Sequence, residues 1–480
     1  MADQEATVID LRKEINALAS WPIEVRLRAR QRLIPRAQVE EVLAHTGHDR
    51  GFCARGPCWF MAWFIIALGL CCRDGYRQVF RWLQPFRPGA TPGRSTLCEA
   101  RKRLGMAPLR VLAEQVIRLL GQPTAPGAFY RGMRTLAVEG LVLDRPDTPA
   151  NARRFGRPGG HRAPGAFPQV QRLALCETGR PVLWRWRLKP LERGEITLVP
   201  SLLRFLQEDR LRLWDRNFLS DATVSAVIER TAHCLARIRS NRLFEPMEVL
   251  ADGSYLAKLY RNAADRRRQR NGIVVRIIEY TFDDPGRPGR GERHRLLTTL
   301  LDVERDPATT LVCLDPERWE EELSIDEIKT HQRERPLLRS PTPAGVVQEA
   351  YGLLLGHFVV RMLMQEAAAT EGLDPRRRSF TATLKILRGR LPECPARPQG
   401  RQQWYRPLLM EIAEEVLAPR RNRINPRVIK RKLSPWPKKK TCASERSSAL
   451  QTLRGGHRHV PLNGIGAKPR CSISRRRNCG

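Results

Sequence analysis

Apolar positions recur at helical spacing through the first quarter of the chain and at alternating spacing after it. Ile23 to His48 sets apolar residues among Arg, Gln and Glu at helical intervals, and Trp59–Leu70 is almost wholly apolar. Tyr76–Leu83 resumes after a break at Asp74–Gly75. Ser95 is placed to cap the next helix, with Glu99 assisting in its first turn, and that helix breaks near Gly105–Pro108. Residues 1–130 are therefore expected to be all-helical. The uncharged run from Pro57 to Cys72 falls short of the ~20 residues that span a bilayer, so it reads as a buried helix.

From Thr135 the pattern turns to strands. LAVEGLVLD alternates, and QVQRLALCE followed by GRPVLWRWRLKP reads as two strands joined at Glu177–Gly179. A helix over Ile196–Gln207, a short strand LRLWD, a helix over Asp221–His233 and a strand CLARIRS follow. Three strands, a helix, a strand, a helix and a strand give the order of an RNase H-like α/β core, a mixed sheet flanked by helices. The core is assigned to residues 131–239 and 306–370, interrupted by further β structure over 240–305. Within that interruption lie an Arg-rich turn (Asp265–Asn271) and a Pro/Gly-rich loop (Asp284–Gly291). A buried helix over Val346–Ala369 precedes a basic region at 371–440. Residues 441–480 have no periodic apolar face and read as a disordered tail, a change of character that a frameshift would produce.

Charge changes the picture more than composition does. With 85 Lys and Arg against 50 Asp and Glu, the net charge is +35. An excess of that size in one sign points to a polyanion whose phosphates are neutralised by the protein. The twelve cysteines form no C-x2-C pair, which favours a reduced cytosolic protein over a disulfide framework or zinc site. The first 20 residues are polar and mixed in charge, so no secretory signal and no membrane association are expected. Helix-turn-helix is one reading of Gly75–Leu104, with Arg94, Arg101, Lys102 and Arg103 facing phosphate; a helical bundle with a basic exterior is the other.

Chemistry concentrates in Leu311–Arg335, LVCLDPERWEEELSIDEIKTHQRER. A strand-like run over Thr310–Leu314 breaks at Pro316, and an amphipathic helix follows with Trp319, Leu323, Ile325 and Ile328 on its apolar side. Arg318 and Glu322 are four apart and Lys329 lies two turns on, so a carboxylate is bracketed by cations along one stripe. The spacing R-x3-E-x6-K resembles the Y-x2-R-x3-E-x6-K signature of DDE transposases of the insertion-sequence-four group. WFIIALGLCCRDGYRQVFRWL and GRSTLCEARKRLG are similar to that group's N-terminal domain, and Asp215-Arg216-Asn217-Phe218 resembles its D-R-x-F. The resemblance covers roughly residues 20–440.

That resemblance implies three metal-binding catalytic acids, Glu139, Asp215 and Glu322, acting with Mg2+ (or Mn2+). It implies DNA contacts by Arg318, Lys329, Arg216, Arg101, Lys102 and Arg103. Partners would be terminal inverted repeats and target DNA held by a homodimer on paired ends, in the bacterial cytoplasm at the nucleoid. The chain departs from the pattern twice. The aspartate-glycine-threonine triplet reads Glu139-Gly140-Leu141, although Pro146, Asp147, Thr148 and Asn151 preserve the following P-D-T-x-x-N; and Asp315 stands where the signature has Tyr. Parity along the strand sets Glu139 with Leu141 and Leu143 and away from Asp144, while Asp147 falls in a turn where it would cap backbone N–H groups. An active cut-and-paste transposase, an inactive remnant that only binds DNA, and a non-transposing RNase H-like nuclease all fit these residues. His294, His331 and His357 are isolated and read as packing or solvated residues.

Overall fold

The computed structural model describes residues 34–48, 56–159, 165–190, 199–205, 207, 209–239, 241–281, 292–395 and 398–418. The tail at 441–480, the Asp284–Gly291 loop, the start of the first predicted helix and the basic stretch after residue 418 lie outside these. The chain opens with α1 (Arg36–His45), α2 (Cys58–Leu70), α3 (Tyr76–Leu83), α4 (Arg94–Leu104) and α5 (Ala107–Val116). Gly105 adopts φ +65° between α4 and α5, the left-handed conformation that ends one helix before Pro108 opens the next. Ser95 does not cap α4: Gly93 holds that position without a side-chain bond, and Glu99 pairs with Lys102 instead. Residues 84–93 separate α3 from α4, far longer than the roughly three- to four-residue turn of a helix-turn-helix, so this region is a helical bundle.

A mixed sheet of ten strands follows. The short β1 (Phe129–Tyr130) pairs with β2 (Met133–Asp144), and the main path runs β4-β3-β2-β5-β6-β10-β9-β8-β7. β3 (Gln169–Glu177) and β4 (Val182–Pro190) are antiparallel neighbours on one side of β2. β5 (Arg210–Trp214) and β6 (His233–Arg237) run parallel to β2 on the other side. Between them lie α6 (Pro149–Phe155), α7 (Val199–Leu203) and α8 (Asp221–Ile228). Both latter helices are shorter than expected, and His233 opens β6 rather than closing α8. β7 (Glu248–Val249), β8 (Tyr255–Leu259), β9 (Ile273–Tyr280) and β10 (His294–Thr298) extend the same sheet through antiparallel ladders, with the short α9 (Ala263–Arg267) between β8 and β9.

The run over Thr310–Leu314 is helical, within α10 (Ala308–Leu314). Its β-branched residues suggested a strand, but Ala308, Leu311, Val312 and Leu314 have helical spacing and pack on the sheet face made by Ala137, Leu211, Leu213 and Leu235. A 3-10 turn (Asp315–Arg318), α11 (Trp319–Asp326) and a π-helical turn (Glu327–Gln332) continue the chain. The π turn adds a residue to the helical repeat and slips the predicted stripe. Leu323 is accordingly exposed, while Ser324 and Ile328 are buried.

α12 (Pro343–Thr370) is long and apolar enough to cross a membrane, yet it is the central buried helix of the fold. α13 (Phe380–Arg390) and α14 (Pro398–Glu414) pack beside it. α2 crosses α12 where Gly69 meets Gly352. A Cβ on Gly69 would lie 2.2 Å from Gly352 O, and one on Gly352 would lie 2.5 Å from Ile65 O. Only glycine allows the two backbones this close. Gly352→Ala should therefore lower stability by about 2 kcal/mol, as overpacking does. The denaturant midpoint should fall without a change in m-value, and Gly69→Ala combined with it should cost less than the sum, because both relax one crossing.

Candidate active site

The parallel strands set out a row of residues. Ala137, Leu213 and Leu235 are register partners across β2, β5 and β6. Two residues further along each strand, the same register leads to position 139, Asp215 and Arg237, at the carboxyl ends of β5 and β6. Adjacent strands lie ~4.8 Å apart, so this row brings the second candidate acid beside the first candidate position. The Glu139 side chain is outside the described structure; its backbone pairs with Ala174.

Asp215 is half-buried at the end of a strand whose last two residues, Leu213 and Trp214, are enclosed. Phe218, buried in the opposite layer, anchors the turn, and Phe218 N donates to Asp215 O (3.0 Å). Asn217 Nδ2 donates to Asp215 Oδ2 (3.1 Å), and Arg239 Nη2 donates to Asn217 Oδ1 (3.2 Å). Arg237 is a residue the sequence reading missed. Its Nε donates to Asp315 Oδ2 (2.7 Å). Burial pulls its guanidinium pKa down, but Asp315 and Asp215 together hold it above its usual value. The signature position that would carry Tyr is thus an enclosed carboxylate tied to the strand next to Asp215.

α11 reaches this row from above. The 3-10 turn lies against β5 and α11 against β2. Ser324, fully buried, brings its Oγ within 3.8 Å of Cys176 Sγ on β3. Glu322 is exposed, with Arg318 Nη1 at 3.6 Å from its Oε1. Arg318 is only 3 % exposed, which corrects its expected reach to phosphate: it steadies Glu322 from inside the fold. Arg101 is corrected likewise. It is 6 % exposed and bonds Tyr76, Gln348, Ser340 and Gly345 O, clamping α4 to α12. Lys102, Arg103, Arg216 and Lys329 are exposed and face solvent. Among the described residues no three His, Cys, Asp or Glu side chains are close enough to hold a metal ion.

The P-D-T-x-x-N segment is scaffold. Thr148, not Asp147, caps α6 by accepting from Asn151 N (3.2 Å), and Asp147 pairs with Arg157. Asn151 Nδ2 donates to Pro146 O and Ser340 O, tying the turn to the approach of α12.

The comparisons with known proteins bear on this arrangement. Residues 24–114 match the family described as Insertion element 4 transposase N-terminal. The chain is 28 % identical over 392 residues to "Transposase InsG for insertion sequence element IS4" of Escherichia coli (strain K12), covering 80 % of this chain and 86 % of that protein. The chain belongs to the IS4 family of transposases. It is also 26 % identical over 129 residues to "Putative transposase InsZ" of the same organism, covering 27 % of this chain and 43 % of that one.

As an IS4-family transposase, the chain holds its signature helix through a buried charge cluster that the sequence reading did not find. Glu327, in the π turn, accepts from His357 Nε2 (2.9 Å) and Arg361 Nε (3.0 Å) of α12. His357 is therefore not an isolated packing residue. Burial would raise the Glu327 carboxyl, but Arg361 and His357 outweigh it and hold its pKa below the usual value. Burial lowers His357 more than Glu327 lifts it, so it stays neutral in the fold. Both groups bind protons more readily when unfolded. Stability should be fully present above the ordinary histidine value of 6.5 and fall below it as the unfolded state takes up a proton. It should fall again below the ordinary glutamate value of 4.5, as protons are taken up first by the unfolded state and then, through the lowered folded pKa, by Glu327 itself. Urea melts across pH 7 to 4 should show both losses, and His357→Gln should flatten the first.

Proposed function

We propose that this transposase binds the terminal inverted repeats of its element as a homodimer, cuts them and joins them to target DNA, with Glu139, Asp215 and Glu322 as the three acids. The observation that carries the reading is the register row that sets position 139, Asp215 and Arg237 side by side, with the Glu322 helix laid across β2. The strand order β4-β3-β2-β5-β6, with the first two antiparallel and the rest parallel, supports an RNase H-like core.

The donor set is all carboxylate, which suits hard divalent cations such as Mg2+ or Mn2+. When bound, such ions polarise the scissile phosphate and lower the pKa of the attacking water or 3′-hydroxyl. Asp215 is held for that task by Asn217 and Glu322 by Arg318. Lys329, exposed on the π turn, reaches DNA phosphate and orients the strand. The net charge of +35 supplies sequence-independent affinity, which keeps the protein with nucleic acid in the bacterial cytoplasm.

Cleavage is slow in this chain. A glutamate at position 139 is one methylene longer than aspartate, and Mg2+ tolerates little departure from octahedral geometry. A displacement of ~1 Å in a catalytic group costs about a hundredfold in rate. The reading is tested with labelled inverted-repeat DNA and Mg2+. Asp215→Asn and Glu322→Gln should each abolish cutting while sparing binding, and Glu139→Asp should raise the rate by roughly tenfold to a hundredfold. A wild type that cuts efficiently and loses activity in Glu139→Asp would overturn the impaired-site reading. Lys329→Ala should lower the slope of log affinity against log salt by about one.

A further inference from the structure

Two hollows lie end to end on the side of the sheet that begins at Asp215, and neither serves the three acids directly. The first, of about 300 Å3, is lined by Arg216, Asn217, Leu219 and Arg239. The second, of about 480 Å3, is lined among others by Phe244, Lys258, Tyr260 and Arg266. Asn241 and Arg242 line both, so the two form one continuous groove. Its near end is tied to Asp215 through the Asn217–Arg239 hydrogen bonds. Its far end is the Arg-rich turn after β8, where Arg267, Arg268 and Arg270 are exposed.

The lining combines cations with aromatic rings. Five basic residues line the groove against one carboxylate besides the Asp215 end, Glu245, which pairs with Arg266. The Tyr260 ring is pinned: its hydroxyl donates to Gln269 Oε1, and a Cβ on Gly272 would come within 2.7 Å of the ring. The Arg242 guanidinium lies over the Phe244 ring at 5.6 Å. Each hollow is near the size that encloses one small ligand, on the order of 300–1,000 Å3. Duplex DNA hides its base faces and would leave these rings without partners. A single strand offers both its phosphates to the cations and its bases to the rings.

We propose that this groove binds a single DNA strand, unpaired next to the cut, leading it from Asp215 across Phe244 and Tyr260 to the Arg-rich turn. An acidic peptide would satisfy the cations but gives the two rings nothing to stack on. The inference rests on the proposed function only in taking Asp215 as the place of cutting, and its test reads binding without divalent metal, so an inactive chain still answers.

The full chain is titrated with fluorescent oligothymidylate of about 20 nucleotides and with a duplex of equal length, a scale set by known single-strand sites. Tyr260→Ser should weaken single-strand binding by on the order of tenfold and change duplex binding by less than about twofold. Arg239→Gln with Arg242→Gln should lower the single-strand salt slope by roughly 1.5. Photo-crosslinking of wild type to 5-bromodeoxyuridine oligomers should map to Phe244 or Tyr260, and answers the question even if Tyr260→Ser fails to fold. Equal loss on both DNAs, or crosslinks confined to residues outside 239–272, would overturn the proposal.

Discussion

The structure turns on the backbone crossing of α2 and α12. At Gly69 and Gly352 no side chain separates the helices, and a bridging group is fitted beside the contact. Gln332, the last residue of the π turn, donates from Nε2 to both Gly69 O and Leu353 O at 2.9 Å. The last carbonyls of a helix have no partner of their own, and at the end of α2 they are taken by long side chains from elsewhere. Arg388 donates to Leu70 O, and Arg339 to Cys71 O and Cys72 O. The helical region is thus bonded directly to the segment that carries Glu322. A separate DNA-reading domain on a linker would not need such contacts. Here the bundle recognised by the family match and the signature helix move as one body.

That coupling gives the π turn a purpose in the architecture. A regular helix from Trp319 to Gln332 would keep Leu323 toward the sheet. The wider turn instead directs Glu327 into α12, where Arg361 and His357 neutralise it. Breaking one partner of such a buried group leaves an uncompensated charge, which costs about 3–5 kcal/mol. The cluster therefore fixes the rotation of α11 about its own axis, and with it the direction in which Arg318 and Glu322 are presented.

Much of this was legible in the sequence. Alternation located β2, β3, β4 and β5, and the all-apolar stretch at Trp59–Leu70 located the buried helix. Asp215 was readable because Leu213 and Trp214 mark a buried strand end. What failed were local rules overridden by packing. Thr309, Thr310 and Val312 favour strands in isolation, yet Leu311 needs a helix to reach the sheet face. Arg101 looked like a phosphate contact because Arg is usually at the surface, but four internal acceptors satisfy it. Arg237 and the Glu327–His357–Arg361 cluster were invisible for another reason. Their partners lie 78, 30 and 34 residues away, and no spacing rule links a strand residue to a helix so distant in the chain.

The two departures from the signature are not equivalent. Replacing a tyrosine by Asp315 places a carboxylate at 1 % exposure, and an unpaired one there would be expensive to ionise. Arg237 solves that cost, and it stands in the same row as Asp215. The substitution is therefore absorbed electrostatically, with alternating charge running from Asp215 through Arg237 to Asp315 and, one turn on, from Arg318 to Glu322. No comparable adjustment accompanies Glu139. Its neighbours in register, Ala137, Leu141 and Ala174, are apolar and closely packed at the residues before and after it, so the backbone of β2 has little room to retreat and take up an extra methylene. A longer acid on an unyielding strand shifts its carboxylate toward the metal position rather than matching it. The first acid, and not the altered signature, is where the chemistry of this chain is limited.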